Sequence, residues 1–183
     1  MKSVILGDSL ISIGQYAFQN CHSLSYISFG DSIRNFGHQA FHGCDSLTIN
    51  VSKLETLFND FSFSGNNSNP FEKAVQLCLN DQPITELDVP NTVKEIKGVV
   101  FNGRNITALK VSDSVEKIGD NAFKNCEFLQ SIVMECEPPT LGDHVFENIA
   151  NDFGIYIKNT AEVLDAYRAA DKWNALTEHI WSY

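Results

Sequence analysis

The chain has 183 residues, 43% of them hydrophobic, and sets 13 basic against 23 acidic side chains for a formal net charge of -10. That balance argues against a surface made to neutralise phosphates and sets aside nucleic acid and anionic membranes as partners. No run of about 18 apolar residues could span a bilayer, and Met1 to Gly14 has no basic start, apolar stretch or small-residue cleavage site, so the expectation is a soluble chain without membrane insertion or export signal.

The first element is the strand-like Val4-Ile5-Leu6, with no polar capping unit before it. The chain is therefore read as either a fragment with upstream domains in a longer parent or a cytoplasmic protein. Val4, Leu6, Asp8, Ser9, Leu10, Ile13 and Gly14 recur 23 positions later as Ile27, Phe29, Asp31, Ser32, Ile33, Phe36 and Gly37. Ala17, Phe18, Cys21 and Leu24 likewise recur as Ala40, Phe41, Cys44 and Leu47. A period in this range points to a solenoid of about eight coils, an architecture that usually binds rather than catalyses.

Each unit opens on an alternating segment such as Leu24 to Phe29, in which Ile27 and Phe29 face inward and Tyr26 and Ser28 outward, the pattern of a short strand. Asp-Ser pairs at 8 to 9, 31 to 32 and 113 to 114, with Asn91-Thr92 in the same place, supply oxygens that cap the following turn. Gly37 to Cys44 then spaces its apolar residues three or four apart, which predicts one short helical turn on the opposite face. The repeating Gly7, Gly14, Gly30 and Gly37 read as turn residues rather than a phosphate cradle. A single coil cannot fold alone. Ordering its residues costs about 1 to 2 kcal/mol each, whereas its few apolar side chains return about 1.5 to 3 kcal/mol each.

Regular repeats cover residues 1–52 and a degenerate repeat with an insertion follows over 53–83. There Leu54, Leu57, Phe61 and Phe63 resemble a worn coil, Ser64 to Pro70 is a loop, and Val75 to Leu79 is a strand. Asn80-Asp81-Gln82-Pro83 is expected to turn that strand back into Ile84 to Val89 as a hairpin. Regular repeats return over 84–157: Leu109, Val111, Ile118, Gly119, Ala122 and Phe123 reappear as Ile132, Met134, Leu141, Gly142, Val145 and Phe146. Residues 158–183 form a C-terminal cap, with Asn159 and Glu162 opening a helix over Ala161 to Lys172, and Trp173 and Ile180 joining it as a lid. All 183 residues are taken as one domain.

Cys21, Cys44 and Cys126 occupy one repeat position, so their side chains point the same way and are expected to be free, buried thiols. A metal site from Cys21, His22, His42 and Cys44 is set aside because Cys126 recurs there without an adjacent histidine. Cys78 is placed on the exposed side of its strand, and Glu135 and Glu137 are expected to raise the pKa of Cys136. Glu86 and Asp88 share a strand face about 7 Å apart, but read as a solvated face rather than a glycosidase pair. No catalytic residue, metal or cofactor is assigned.

Several motifs carry a likeness to a known family. Ala17-Phe18-Gln19-Asn20-Cys21, Ala40-Phe41-His42-Gly43-Cys44 and Ala122-Phe123-Lys124-Asn125-Cys126 resemble the BspA-like leucine-rich repeats of bacterial surface proteins. Asn69-Pro70-Phe71 with Leu77 to Asn80 and Ile84 to Pro90 is similar to that family's hairpin unit, with Asn80-Asp81 where Asn-Gly is usual. Pro138-Pro139, Ile155 to Ile157, Tyr167, Trp173 and Ile180 resemble its terminal unit. The resemblance implies an α/β repeat solenoid, a right-handed superhelix with short parallel strands on the concave face, short helical turns on the convex face, a β-hairpin insertion and a C-terminal capping helix. It further implies a non-enzymatic adhesion module, at the cell surface or secreted, that recognises protein or carbohydrate. The alternative is a structural spacer without its own ligand. The candidate ligand-binding residues are the outward strand positions Tyr26, Ser28, Asn50, Glu86, Asp88, Lys110, Ser131, Val133 and Tyr156, with the loop at 64–70 as a rival site.

Overall fold

The computed structural model describes residues 2–158 and 161–183; Asn159, half of the expected capping pair, lies outside the described residues. The chain divides into two compact units, Met1–Ile84 and Thr85–Tyr183. The boundary falls where the irregular segment ends.

Unit 1 runs β1 (Ser3–Ile5), β2 (Ser12–Ile13), β3 (Tyr26–Phe29), β4 (Asn35–Phe36), β5 (Leu47–Val51), β6 (Ser62–Phe63), β7 (Ala74–Leu79) and β8 (Gln82–Pro83). β1, β3, β5 and β7 pair in parallel as the main sheet, while β2, β4 and β6 make a second parallel ladder across the coil. Val4, Ile27, Ile49 and Leu77 sit in one register column, so side chains one period apart become neighbours. Ile27, Phe29, Phe36, Phe41 and Ile49 are buried between the two ladders. β8 closes the hairpin antiparallel to β7. Its turn is only Asn80-Asp81, both with positive φ (50° and 64°), and Gln82-Pro83 already belong to the returning strand. That is the backbone of a tight two-residue hairpin, which Asn and Asp tolerate.

Unit 2 repeats the plan with β9 (Glu86–Asp88), β10 (Glu95–Ile96), β11 (Ala108–Val111), β12 (Lys117–Ile118), β13 (Ser131–Met134), β14 (Thr140–Leu141), β15 (Gly154–Ile157), α1 (Ala161–Ala169) and β16 (Ile180–Ser182). Its main sheet has the order β16-β15-β13-β11-β9, and β10, β12 and β14 form the second ladder. Phe101, Phe123 and Phe146 stack as a column, with ring centroids 5.8 and 6.0 Å apart. In unit 1 the Phe18 and Phe41 ring centroids lie 5.5 Å apart, with the rings tilted by 31°.

Several expectations change. The segment read as a helical turn is a run of tight turns. Ala17, Gln19 and Cys21 donate back to Gly14, Tyr16 and Phe18, while Tyr16, Phe18 and Asn20 donate to His38, Ala40 and His42 of the next coil. Three-residue hydrogen bonds give the apolar spacing of a helix, but positive φ at Tyr16 (59°) and Asn20 (57°) breaks it. The repeated glycines do open turns as read, Gly30 and Gly37 accepting from the Ile33 and Ala40 amides, and they are also spacers: a β-carbon on Gly37 would stand 2.5 Å from the Gln15 nitrogen of the preceding coil. The final helix stops at Ala169, and Lys172 (φ 63°) precedes a 3-10 stretch over Trp173–His179. Ile180 belongs to a strand that extends the main sheet.

All five cysteines are free, with Cys21 half-buried and the others buried. Cys44 and Cys126 also donate, to the carbonyls of Phe18 (3.3 Å) and Phe101 (3.1 Å) one coil back. Cys78 is buried, not exposed. The pKa of Cys136 is raised mainly by burial, with the neighbouring acidic charges adding less. At the end of unit 2 the Tyr167 hydroxyl donates to the Cys136 carbonyl (2.9 Å) and Trp173 Nε1 to that of Pro139 (2.7 Å).

Candidate functional site

Strand alternation turns every second side chain of each main sheet away from the core. Three of the nine candidate residues stand on unit 1 and six on unit 2.

In unit 1, Ile5, Ser28, Asn50 and Cys78 form one outward row, with Tyr26 in the adjacent row. The hairpin tip bends back onto these positions. The Tyr26 hydroxyl donates to Asp81 Oδ1 at 2.6 Å, the Asp81 amide donates to Asn50 Oδ1 at 2.8 Å, and Asn50 Nδ2 donates to Ser28 Oγ at 3.2 Å. Burial, then the hydrogen bond to Asp81, raises the Tyr26 phenol above its ordinary pKa. Asn50 is only 7% exposed, so it supports the tip and leaves the open face. A buried amide needs such partners, and the tip supplies them.

The rival loop at 64–70 is also built into the array. The carbonyls of Asn66 and Asn67 accept from the amides of Gln39 and Phe41, the role His38 and Ala40 play for the coil before. Ser68 Oγ donates to the Gly65 carbonyl (2.7 Å), and the Asn69 side chain accepts from the Phe71 amide (2.9 Å). This loop replaces a coil's turn.

Unit 2 keeps its outer face open. Asp88, Lys110, Val133, Tyr156 and Trp181 stand side by side on β9, β11, β13, β15 and β16 in continuous register. At about 4.8 Å per strand the row is about 19 Å long. Glu86, Ala108, Ser131 and Gly154 make the parallel row beside it. Glu86 and Asp88 are exposed, Lys110, Ser131 and Val133 half-buried, Tyr156 38% exposed and Trp181 58% exposed. Lys110 Nζ reaches Glu135 Oε1 at 3.3 Å, and that contact first, then the charge of Asp88, raises the lysine pKa.

Sequence reading missed Trp181 and Tyr183, the latter 64% exposed. The available signal was the β-branched and aromatic pair Ile180-Trp181, residues that favour strands, in a tail read as a lid. Among the described residues no group of three or more His, Cys, Asp or Glu could hold a metal ion, and no helix is long and apolar enough to cross a membrane.

No curated protein matches the chain. The family model for the BspA type leucine rich repeat region matches in six copies, over residues 1–72 and 75–167. The motif carriers Phe18, Phe41, Phe101, Phe123 and Phe146 all fall within those spans, and the chain belongs to the BspA type leucine-rich repeat family.

Proposed function

We propose that the chain is a non-enzymatic binding module of a surface or secreted adhesion protein, and that it holds a protein or carbohydrate ligand on the outer face of the unit 2 main sheet. The reading rests on one observation above all: a registered row from Asp88 to Trp181 combines a carboxylate, an ammonium, an aliphatic and two aromatic groups and is left open, while the unit 1 face is engaged by its own hairpin. Aromatic and mixed polar surface of this kind suits recognition, and repeat arrays use their sheets for it. The same reading takes the coils within each unit as winding right-handed with the main sheet on the concave side, and α1 as closing the last coil of unit 2.

The test is charge reversal at Glu86, Asp88 and Lys110 together, screened against arrays of matrix proteins and glycans. Attachment falls at least about tenfold while circular dichroism stays unchanged. A spacer without its own ligand is indifferent to these changes, and that result refutes the binding role.

A further inference from the structure

We propose that Tyr156 and Trp181 form a stacking platform for a neutral oligosaccharide that runs across the strands of unit 2 toward Lys110 and Asp88. This rests on the binding reading above and names its ligand class.

The first support is the attitude of the Tyr156 ring. An ideal β-carbon on Gly154 would lie 2.7 Å from the Tyr156 hydroxyl oxygen and 2.8 Å from the ring carbon that bears it. The ring therefore lies back along its own strand, over the place a residue 154 side chain would fill, and Gly154 is buried. A ring laid down in this way offers its face, not its edge, to whatever approaches. Trp181, its registered neighbour on β16, enlarges that surface.

A pyranose ring has a patch of C–H bonds on one face and hydroxyls around its rim. The aromatic pair matches the first. The second needs groups that both accept and donate, and the same row supplies the Asp88 carboxylate and the Lys110 ammonium. Successive strands are about 4.8 Å apart, close to the length of one sugar ring, so a chain crossing the strands meets one row position per residue. Charge selects a neutral glycan. Glu86, Asp88 and Glu135 outnumber Lys110 and Lys158 on this face, and the whole chain carries -10, so uronic or sialic acids are repelled.

The full chain is screened on a printed array of neutral oligosaccharides, and each hit is confirmed with the free tetrasaccharide by calorimetry and tryptophan emission. Trp173 is fully buried, so an emission change reports Trp181. The expected result is binding that weakens about tenfold in Trp181→Ala and stays within about threefold in Trp181→Phe. Because Trp181 is exposed, both variants keep the far-ultraviolet spectrum of the parent. If no neutral glycan is held, or if Trp181→Ala binds as well as the parent, the platform is refuted. A protein ligand that depends on Trp181 refutes the glycan assignment and leaves the binding module standing. Failure to hold any glycan or matrix protein removes both.

Discussion

Gly14 and Gly37 occupy the same place in successive coils, yet alanine should affect them in opposite directions. A β-carbon on Gly37 would stand 2.5 Å from the Gln15 nitrogen, 2.6 Å from the Gly14 carbonyl carbon and 2.9 Å from the Gln15 α-carbon, where ordinary contact begins at 3.4 Å. All three atoms are main chain, so no rotamer relieves the clash. The two coils must part by most of an ångström beside the hydrogen bond from the Gly37 amide to the Ile13 carbonyl (2.9 Å). Overpacking of this kind costs about 1 to 3 kcal/mol, and the upper end applies where backbone must move. For a unit of this size, each kcal/mol lowers the melting midpoint by about 4 to 8 °C, so Gly37→Ala should melt roughly 10 to 20 °C early. A β-carbon on Gly14 meets nothing within 4 Å. Gly14→Ala should be neutral or gain about 0.4 to 1 kcal/mol through a stiffer unfolded chain. Thermal melts followed by circular dichroism, with urea midpoints alongside, decide the matter. If the two alanine variants melt together, coil-to-coil approach is not what these glycines serve.

Native thiol labelling near pH 8 should modify Cys21 alone and reach all five cysteines only on denaturation; burial pushes Cys44 up to about 11 and raises Cys78, Cys126 and Cys136. A second fast-reacting thiol would contradict the packing described. Asp31 accepts from Lys53 Nζ (2.6 Å), Ser52 Oγ (3.0 Å) and Thr56 Oγ1 (3.2 Å), and the lysine contact foremost holds its carboxyl below the ordinary range. A lowered folded pKa stabilises above the ordinary carboxylate value of about 4 and loses that contribution as pH falls through the folded value. Asp31→Asn should therefore show a shallower drop in urea midpoint between neutral pH and about pH 3 than the parent does; parallel curves would discount the cluster. Tyr167→Phe leaves the buried Cys136 carbonyl without the phenol donor and should cost about 1 to 3 kcal/mol by chemical denaturation, against no measurable change for Tyr183→Phe at an exposed site.

The core was legible because period-2 alternation within a strand and a 23-residue period between coils both survive in the sequence. Ile27, Phe29, Leu109 and Val111 are buried as read. The second ladder was not legible, since strands such as Ser12–Ile13 and Lys117–Ile118 are two residues long and no period can be seen in two residues. Tight turns and a helical turn share a three-residue hydrogen-bond spacing, so only the sign of φ at Tyr16 or Asn20 separates them. The outward positions of the candidate site followed from alternation, but their accessibility did not. Nothing local to Asn50 announces that Asp81, 31 residues on, returns to occupy it. Trp181 escaped for a related reason: it sits beside Tyr156 through pairing with β15, and the helix and 3-10 stretch between them obscure the continuing sheet.

The thiols of Cys44 and Cys126, each bonded to a phenylalanine carbonyl about one period upstream, bear on how such genes change length. Within each unit, a regular coil meets the needs of its predecessor and leaves matching needs for its successor. Unequal recombination that adds or drops one whole period therefore returns an intact pattern of donors and acceptors, whereas a codon lost within a strand turns the side chains beyond it to the opposite face. Evolution of the array should proceed in steps of a full turn.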